Sequence, residues 1–347
     1  MGSCEEKFMK LGFFSMSMHP IGKDFLQSLR EDQEAFILAD ELNFPEGYVG
    51  EHATEPEENI TAFALFLATL VDATQRMKLG TGTLNLPNHD PAAVSGNIAM
   101  LDPLFGKSFI RGITQGALFS DAEVFGNMDL ARPAIFLEAI NQLLLIWSIK
   151  PFHNIKGDVW NITTERTYIP STDVGTLPWS LQHPHPPILV TAVTPFSRAS
   201  LKPRHGAGIR SRPISFCHRG SRANGSDMSK AVTALNASPK TLRSPRPSRR
   251  VPTAHTITYR SLFTKLNRRA APGVFKSAPE VPDYAVTLEQ VVDQLLIDGT
   301  PTKVADGRLA MKQETGEFGL TLYARFDWAD HAGAQFDDLN GEKNCFR

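Results

Sequence analysis

Apolar residues follow two alternating patterns over most of this chain. Short continuous runs, typical of buried parallel strands, alternate with stretches in which apolar residues recur every three or four positions, as on one helix face. The runs that predict strands are Lys10–Met16, Gly47–Gly50, Met77–Leu84, Phe109–Ile113, Ile188–Val193 and Phe318–Tyr323. The stretches that predict helices are 24–43, 62–73, 92–104 and 131–149. This alternation predicts an α/β fold with a parallel sheet covered by helices.

The number of strands bears on the architecture. Six are recognisable, whereas a closed (β/α)8 barrel has eight, so in a barrel the other two have to lie between residues 198 and 258. An open doubly wound sheet also fits the alternation, but no Gly-x-Gly-x-x-Gly turn follows the first strand, which argues against dinucleotide binding. Near the end, Leu288–Leu296 has helical spacing and predicts a core-facing helix.

The stretch 198–258 has a different composition from the sequence on either side. Arg, Ser, Pro and Ala dominate it, Asp227 is its only acid, and neither the strand nor the helix period is present. A compensated pair of reading-frame shifts is our hypothesis for this change. We therefore predict one domain over 9–331, incomplete and disordered around 198–258, with a loose leader at 1–8 and an irregular tail at 332–347.

Overall composition is that of an ordinary globular protein. The 347 residues are 41% hydrophobic with a net charge of −1. Neither a membrane-spanning run nor a secretory signal is recognisable, so a cytoplasmic location is predicted. The three cysteines lie far apart without metal-ligand spacing, and we predict neither a disulfide framework nor a metal site. Seventeen Lys and Arg between Arg198 and Arg269 leave open a nucleic-acid-binding insert over 198–270, although no binding-fold signature accompanies them.

Five motifs carry a resemblance to a known family. They are Lys10-Leu-Gly-Phe-Phe14, Gly50-Glu-His52, Leu79-Gly-Thr-Gly-Thr-Leu-Asn-Leu-Pro-Asn-His89, Ser120-Asp-Ala-Glu-Val-Phe-Gly126 and Gly299-Thr-Pro301. Together they resemble the bacterial luciferase-like flavin-dependent monooxygenases, and within them the limonene monooxygenase-like members. The resemblance implies a (β/α)8 TIM barrel that binds reduced flavin at the carboxyl ends of its strands. It also implies a two-component system, in which a separate NAD(P)H-dependent flavin reductase supplies the reduced flavin.

His52 is the catalytic residue that the resemblance implies, because the corresponding histidine in luciferase acts as an acid/base. An imidazole titrates near neutral pH. His52 also follows the second predicted strand, at the end of the sheet where barrel active sites form. Taken without the family, a lone histidine beside Glu51 is more often a structural hydrogen-bonding residue, so both interpretations stay open at this point.

Gly82, Thr83 and Asn85 are implied as cofactor-binding residues at the end of the third predicted strand. The family places backbone against the flavin ring there, often with a non-proline cis peptide at the position of Gly82 to Thr83, and small residues permit that approach. An ordinary strand end with a tight turn is the alternative.

Gln115, Thr194 and Ser197 complete the cofactor residues that the resemblance implies. Gln115 stands where luciferase has an arginine that helps hold the flavin phosphate, so it brings a hydrogen-bond donor without a charge. Thr194 and Ser197 resemble the start of a phosphate-binding loop, since hydroxyls and backbone amides suit a dianion. Polar loop residues are the alternative.

The predicted function is oxygenation of a small apolar substrate, terpene-, alkane- or aldehyde-like, with reduced FMN or FAD and O2. A deazaflavin-dependent reaction is left open, as are a homodimer and other homo-oligomers. The alternatives are an inactive remnant of such an enzyme, whose barrel does not close, and the nucleic-acid-binding insert named above. Nucleic acid and membrane are not expected partners.

Overall fold

The computed structural model describes ten parts of the chain. They are residues 10–106, 109–116, 118–192, 212–215, 232–239, 281–287, 296–299, 306, 309–310 and 320–326. The predicted leader and the predicted irregular tail lie outside the described residues, as does most of 198–258. The predictions made for these segments stay predictions.

The helices and strands follow the order that the sequence patterns predict. The strands are β1 (Lys10–Met18), β2 (Glu46–Val49), β3 (Lys78–Asn85), β4 (Ile110–Thr114), β5 (Asn154–Ile155), β6 (Ile162–Thr163), β7 (Ile188–Ala192), β8 (Arg212–Ser215), β9 (Val232–Pro239), β10 (Leu296–Gly299) and β11 (Leu320–Phe326). The helices are α1 (Phe25–Glu41), α2 (Phe63–Ala68), α3 (Pro91–Leu104), α4 (Phe119–Val124) and α5 (Arg132–Ser148). All six predicted strands and all four helices predicted in the first half are present, and α4 is an addition.

One parallel sheet contains every strand except β5 and β6, which form a short antiparallel hairpin. Its order is β10-β9-β11-β1-β2-β3-β4-β7-β8, and β8 pairs in addition with β9, so the strand pairings follow a ring. β8 and β9 lie between residues 198 and 258, where the barrel count requires its two remaining strands. The prediction of an α/β fold built on a parallel sheet is confirmed.

The helix predicted over Leu288–Leu296 is wrong at its last residue. Leu296 begins β10, where it lies opposite Asn236 in a parallel pairing with β9. A short apolar run fits a buried strand as well as a helix, and a neighbouring strand that supplies backbone partners decides between them. The rest of that stretch, 288–295, lies outside the described residues.

The described core lies between the sheet and its helices. Phe13 of β1 contacts Phe36 of α1 edge to face, with ring centroids 4.8 Å apart, and both side chains are fully buried. Asp24 immediately precedes α1 and caps it, because its carboxylate accepts the amide of Gln27 at 2.8 Å. Since the helices lie along the outer face of the strands, the carboxyl strand ends and the loops that follow them are left to form a site.

Arg111 is an unexpected cation in this core. It belongs to β4 and is almost completely buried, and burial lowers its pKa to about 9, although the charge of Asp102 opposes the shift. Its guanidinium lies 4.1 Å from the ring centre of Trp147 on α5 and donates to the carbonyl of Pro186 at 2.7 Å. Arg111 therefore attaches the segment before β7 to the helical layer.

Candidate active site

The predicted site residues of β2, β3 and β4 lie at one edge of the sheet. His52 follows β2, Asn85 ends β3 and Gln115 follows β4. These three strands are neighbours in the sheet and run parallel, so their carboxyl ends lie side by side. The structure therefore brings together residues that are more than sixty positions apart in the sequence.

Glu51 links the ends of β2 and β3. Its Oε1 accepts the backbone amide of Asn85 at 3.2 Å and lies 2.7 Å from Nε2 of His89, while Oε2 accepts the amide of Phe63 at 3.3 Å. Asn85 returns a hydrogen bond from its Nδ2 to the carbonyl oxygen of Glu51 at 3.1 Å. Because Glu51 is buried, these donors compensate a charge that would otherwise be costly to remove from water.

His52 lies between two carboxylates. Its Nδ1 is 2.9 Å from Oδ2 of Asp121, and its Nε2 is 3.2 Å from Oε2 of Glu58. Burial alone would lower the pKa of His52, but the hydrogen bond to Asp121 and the negative charges of Glu58, Asp121 and Glu51 outweigh it, so the pKa is raised. The charged imidazolium is thus favoured relative to a free histidine.

Asp121 holds the loop that carries His52. Its Oδ1 accepts the amide of Ala53 at 3.1 Å, and the amide and hydroxyl of Thr54 at 2.9 and 2.6 Å. Burial would raise the pKa of Asp121, but the hydrogen bonds from His52 and Thr54 lower it below its usual value. Asp121 therefore stays ionised and fixes the β2 loop against α4.

Gly82 and Thr83 lie near the carboxyl end of β3. The peptide bond between them is cis, as the resemblance implied. A Cβ on Gly82 would lie 2.6 Å from Cβ of Tyr48 and 3.1 Å from the ring of Phe14, which explains why only glycine fits there. The position of Gly82 is set by packing against β1 and β2, whereas Thr83 is only partly buried.

Arg132 brings a positive charge to the end of β4. Its Nη2 donates to the carbonyl of Gln115 at 2.7 Å, and its Nη1 donates to the side-chain oxygen of Asn127. Gly116 has a φ of 73°, and a Cβ there would lie 2.6 Å from Nη2 of Arg132. A guanidinium from α5 thus contacts the main chain at Gln115, the position at which the resemblance implies an arginine in luciferase.

Sequence reasoning identified some of these residues and missed others. Thr194 and Ser197 lie outside the described residues, so their predicted role stays a prediction. Glu58, Asp121 and Arg132 were not predicted. Asp121 does lie inside a motif that carries the resemblance, in the first helix after β4, so its position near the other strand ends was a signal that the sequence contained.

The described residues contain neither a metal-binding cluster nor a membrane-spanning helix. No described group of three or more His, Cys, Asp and Glu side chains has an arrangement suited to a metal ion. Among the helices in the described part of the chain, none is long and apolar enough to cross a membrane.

Two curated relatives match part of the chain. A 4-hydroxyprotoasukamycin monooxygenase from Streptomyces nodosus subsp. asukaensis is 36% identical over 140 residues, which are 39% of this chain and 38% of that protein. Limonene 1,2-monooxygenase from Rhodococcus erythropolis is 33% identical over 115 residues, 33% of this chain and 30% of the relative. The matched region thus spans less than two fifths of either relative.

A solved structure matches almost the whole chain. It is the oxygenating constituent of 3,6-diketocamphane monooxygenase from Pseudomonas putida, in complex with FMN, with a TM-score of 0.73 and 18% identity over 96% of each chain. At this identity the likeness establishes the fold. The family model described as luciferase-like monooxygenase matches residues 9–212, which contain every site residue described above, and the chain therefore belongs to the luciferase-like monooxygenase family.

Proposed function

We propose that the protein is a flavin-dependent monooxygenase that uses reduced flavin and O2 to oxygenate a small apolar organic substrate. The observation that carries the proposal is the position of His52. It is held between Asp121 and Glu58 at the carboxyl ends of neighbouring strands, beside the Gly82–Asn85 segment. All of these residues lie within the region that the family model matches.

The donors at these strand ends fit a flavin. Reduced flavin and its phosphate carry negative charge and require N–H donors, and the oxygens of Glu51 and Asp121 already accept N–H groups of the protein. His52 and Arg132 add positive charge at the same edge of the sheet, while their nitrogens contact Asp121 and Glu58, and Gln115 and Asn127, respectively. Gly82, Thr83 and Asn85 would lie along the ring, and Gln115 and Arg132 near its charged substituents, with Thr194 and Ser197 proposed for the phosphate.

His52 is proposed to manage the proton of the reaction. When bound, the reduced flavin supplies the electrons and activates O2. His52 would donate a proton from its ring to a developing oxygen anion, since its raised pKa increases the protonated fraction near neutral pH. Glu51 holds the loop and the end of β3 in register while that proton moves.

The substrate class and the partner are inferred from what the related proteins are called. The curated relatives are named for limonene and for 4-hydroxyprotoasukamycin, which supports a terpene-like or otherwise apolar substrate, with alkanes and aldehydes as further classes to test. The solved structure is described as an oxygenating constituent. That description supports a separate NAD(P)H-dependent reductase as the source of reduced FMN or FAD.

Two measurements on the purified full-length chain test the proposal. The first is anaerobic titration with reduced FMN, with reduced FAD and reduced deazaflavin as further arms, and we expect saturable binding of a reduced flavin. The second adds a flavin reductase, NADH, limonene and 18O2, and mass spectrometry is expected to find one 18O atom in the product. Failure to bind either reduced flavin would contradict the proposal and favour the inactive remnant.

A pair of variants separates chemistry from binding. His52→Gln is expected to bind reduced flavin like the parent and to lose most of its product, because general acid/base groups typically contribute about 10²- to 10⁴-fold. Glu123→Gln removes one exposed charge from the same side of the sheet and is expected to behave like the parent. Equal product yields from the two variants would refute the role of His52.

A further inference from the structure

We propose that Asp121 is a positioning residue that keeps a proton on Nδ1 of His52, so that Nε2, which faces Glu58, is the nitrogen that gains and loses a proton. The inference rests on the proposed function for its catalytic meaning. It makes a statement about the free protein that can be tested without flavin or substrate.

The contacts of Asp121 fix its orientation. One carboxylate oxygen accepts three hydrogen bonds from Ala53 and Thr54, which leaves the other directed at Nδ1 of His52 at 2.9 Å. Oγ1 of Thr54 also lies 2.7 Å from Oγ of Ser120, and since its one proton goes to Asp121 it accepts the proton of Ser120, which ties the loop to the start of α4. An ionised carboxylate held in this way accepts only, so Nδ1 has to be the donor in both charge states of His52.

Glu58 faces the other ring nitrogen of His52 and, unlike Asp121, belongs to the same loop as His52. It lies six residues after His52 in the same loop, whose two ends are joined by the amide of His52 and the carbonyl of Ile60 at 3.1 Å. Its Oε2 is 3.2 Å from Nε2 of His52. A protonated Nε2 forms an ion pair with this carboxylate at that distance, whereas a deprotonated Nε2 presents a lone pair toward it.

The charged groups around His52 act in one direction. Asp121 and Glu58 contact its two nitrogens, and Glu51, which itself contacts His89, adds a third negative charge nearby. All three favour the imidazolium over the neutral ring. When the proton leaves, the N–H bond that breaks is the one at Nε2, the ring becomes neutral, and the hydrogen bond between Nδ1 and Asp121 remains.

Nitrogen-15 NMR of the full-length, flavin-free protein tests this assignment directly. The chain has 10 histidines, and the signals of His52 are identified by their loss in His52→Gln. Above the pKa of His52 the wild-type spectrum is expected to have the pattern of a ring protonated on Nδ1 and bare at Nε2. A neutral His52 that carries its proton on Nε2 would overturn the proposal, whatever the variants do.

Three variants separate the two carboxylates. In Asp121→Asn the amide group can turn its NH2 toward Nδ1, so we expect the neutral ring to change to the Nε2–H tautomer and its pKa to fall. In Glu58→Gln we expect the pKa of His52 to fall while the Nδ1–H tautomer is retained. Glu123→Gln, two residues from Asp121 on α4, is the control and is expected to change neither property. A tautomer that is unchanged in a folded Asp121→Asn would refute the positioning role.

Kinetics then connect the tautomer with the reaction. Because His52 has to be protonated to act as the acid, Asp121→Asn, which lowers its pKa, is expected to move the alkaline limb of the pH profile of kcat to lower pH and to reduce its maximum, with binding of reduced FMN unchanged. If the NMR result holds and no oxygenated product forms under any condition, the proposed function fails while the positioning of His52 stands. If product forms and neutral wild-type His52 is protonated on Nε2, only the present inference fails.

Discussion

Asp40, at the end of α1, holds the turn that leads into β3. Its Oδ2 accepts the amide of Gln75 at 3.0 Å, and its Oδ1 accepts the amides of Arg76 and Met77 at 2.9 and 2.6 Å. Burial would raise the pKa of Asp40, but these three amides and the charge of Arg76 outweigh it and lower the pKa. We therefore expect Asp40→Asn to destabilise the fold although it preserves the shape of the side chain.

The size of the effect follows from the geometry. The carbonyl oxygen of the new asparagine can keep the amides of Arg76 and Met77, but its NH2 group then faces the amide of Gln75. One charge-assisted hydrogen bond is lost, and the other two become neutral. Since a hydrogen bond to a charged group contributes about 1.5–3 kcal/mol, we expect Asp40→Asn to lower the free energy of unfolding by about 2–3 kcal/mol at pH 7.

The pH dependence gives a second, independent measure. The folded pKa of Asp40 is lower than the unfolded value, so its ionised form stabilises the native state above the unfolded pKa of about 3.9. That contribution is lost as the pH falls through the folded pKa. The difference between the parent and Asp40→Asn should be constant from pH 6 to 8 and should shrink below about pH 4.

Urea unfolding followed by tryptophan fluorescence measures both quantities. Glu41→Gln is the matched control, because Glu41 is the next residue of α1 and is exposed, and surface substitutions usually change stability by less than about 0.5 kcal/mol. The reasoning is wrong if Asp40→Asn and Glu41→Gln have the same unfolding free energy at pH 7. It is also wrong if the difference between them persists unchanged at low pH.

Three further predictions follow from local contacts and from the sequence. Gly82→Ala should abolish soluble folded protein because its Cβ meets β2, whereas Gly96→Ala, whose Cβ meets nothing within 4 Å, should be neutral or stabilise α3 by up to about 1 kcal/mol in thermal unfolding. Glu138→Ala removes the acceptor of the Asp158, Val159 and Trp160 amides, so limited proteolysis should cleave that loop faster, by an amount that Glu123→Gln does not match. Translation of the gene in all frames should recover a family-like helix and strand for 198–258, and the frame-shift hypothesis fails if none does.

The strands and helices were predictable because their signal is local. Each of the six predicted strands is an apolar run bounded by turns, and periodicity alone places it within a few residues. His52 and Asn85 were also predictable as neighbours, because the ends of parallel strands share one edge of the sheet. The strand β10 was not predictable, because its apolar run fits either a strand or a helix and only its pairing with β9 decides between the two.

The partners of His52 depend on tertiary contacts that no local pattern contains. Asp121 is 69 positions from His52 in the sequence, and its contact requires β4 to lie two places from β2 in the sheet. Arg132 reaches Gln115 only because α5 begins beside the end of β4. In both cases the residue type and its approximate place are visible in the sequence, while the pairing depends on how the elements pack.

The contacts at the strand ends separate the positioning of the site from its chemistry. Glu51 and Asp121 bind mainly backbone amides, so they hold the loops after β2 and β3 whatever side chain occupies position 52. A substitution of His52 therefore removes a titrating group and leaves those backbone hydrogen bonds in place. A substitution of Glu51 or Asp121 leaves backbone donors without an acceptor, and it changes the loop and the proton affinity of His52 together. For this reason the imidazole and its carboxylates require separate variants before any loss of activity can be assigned to proton transfer.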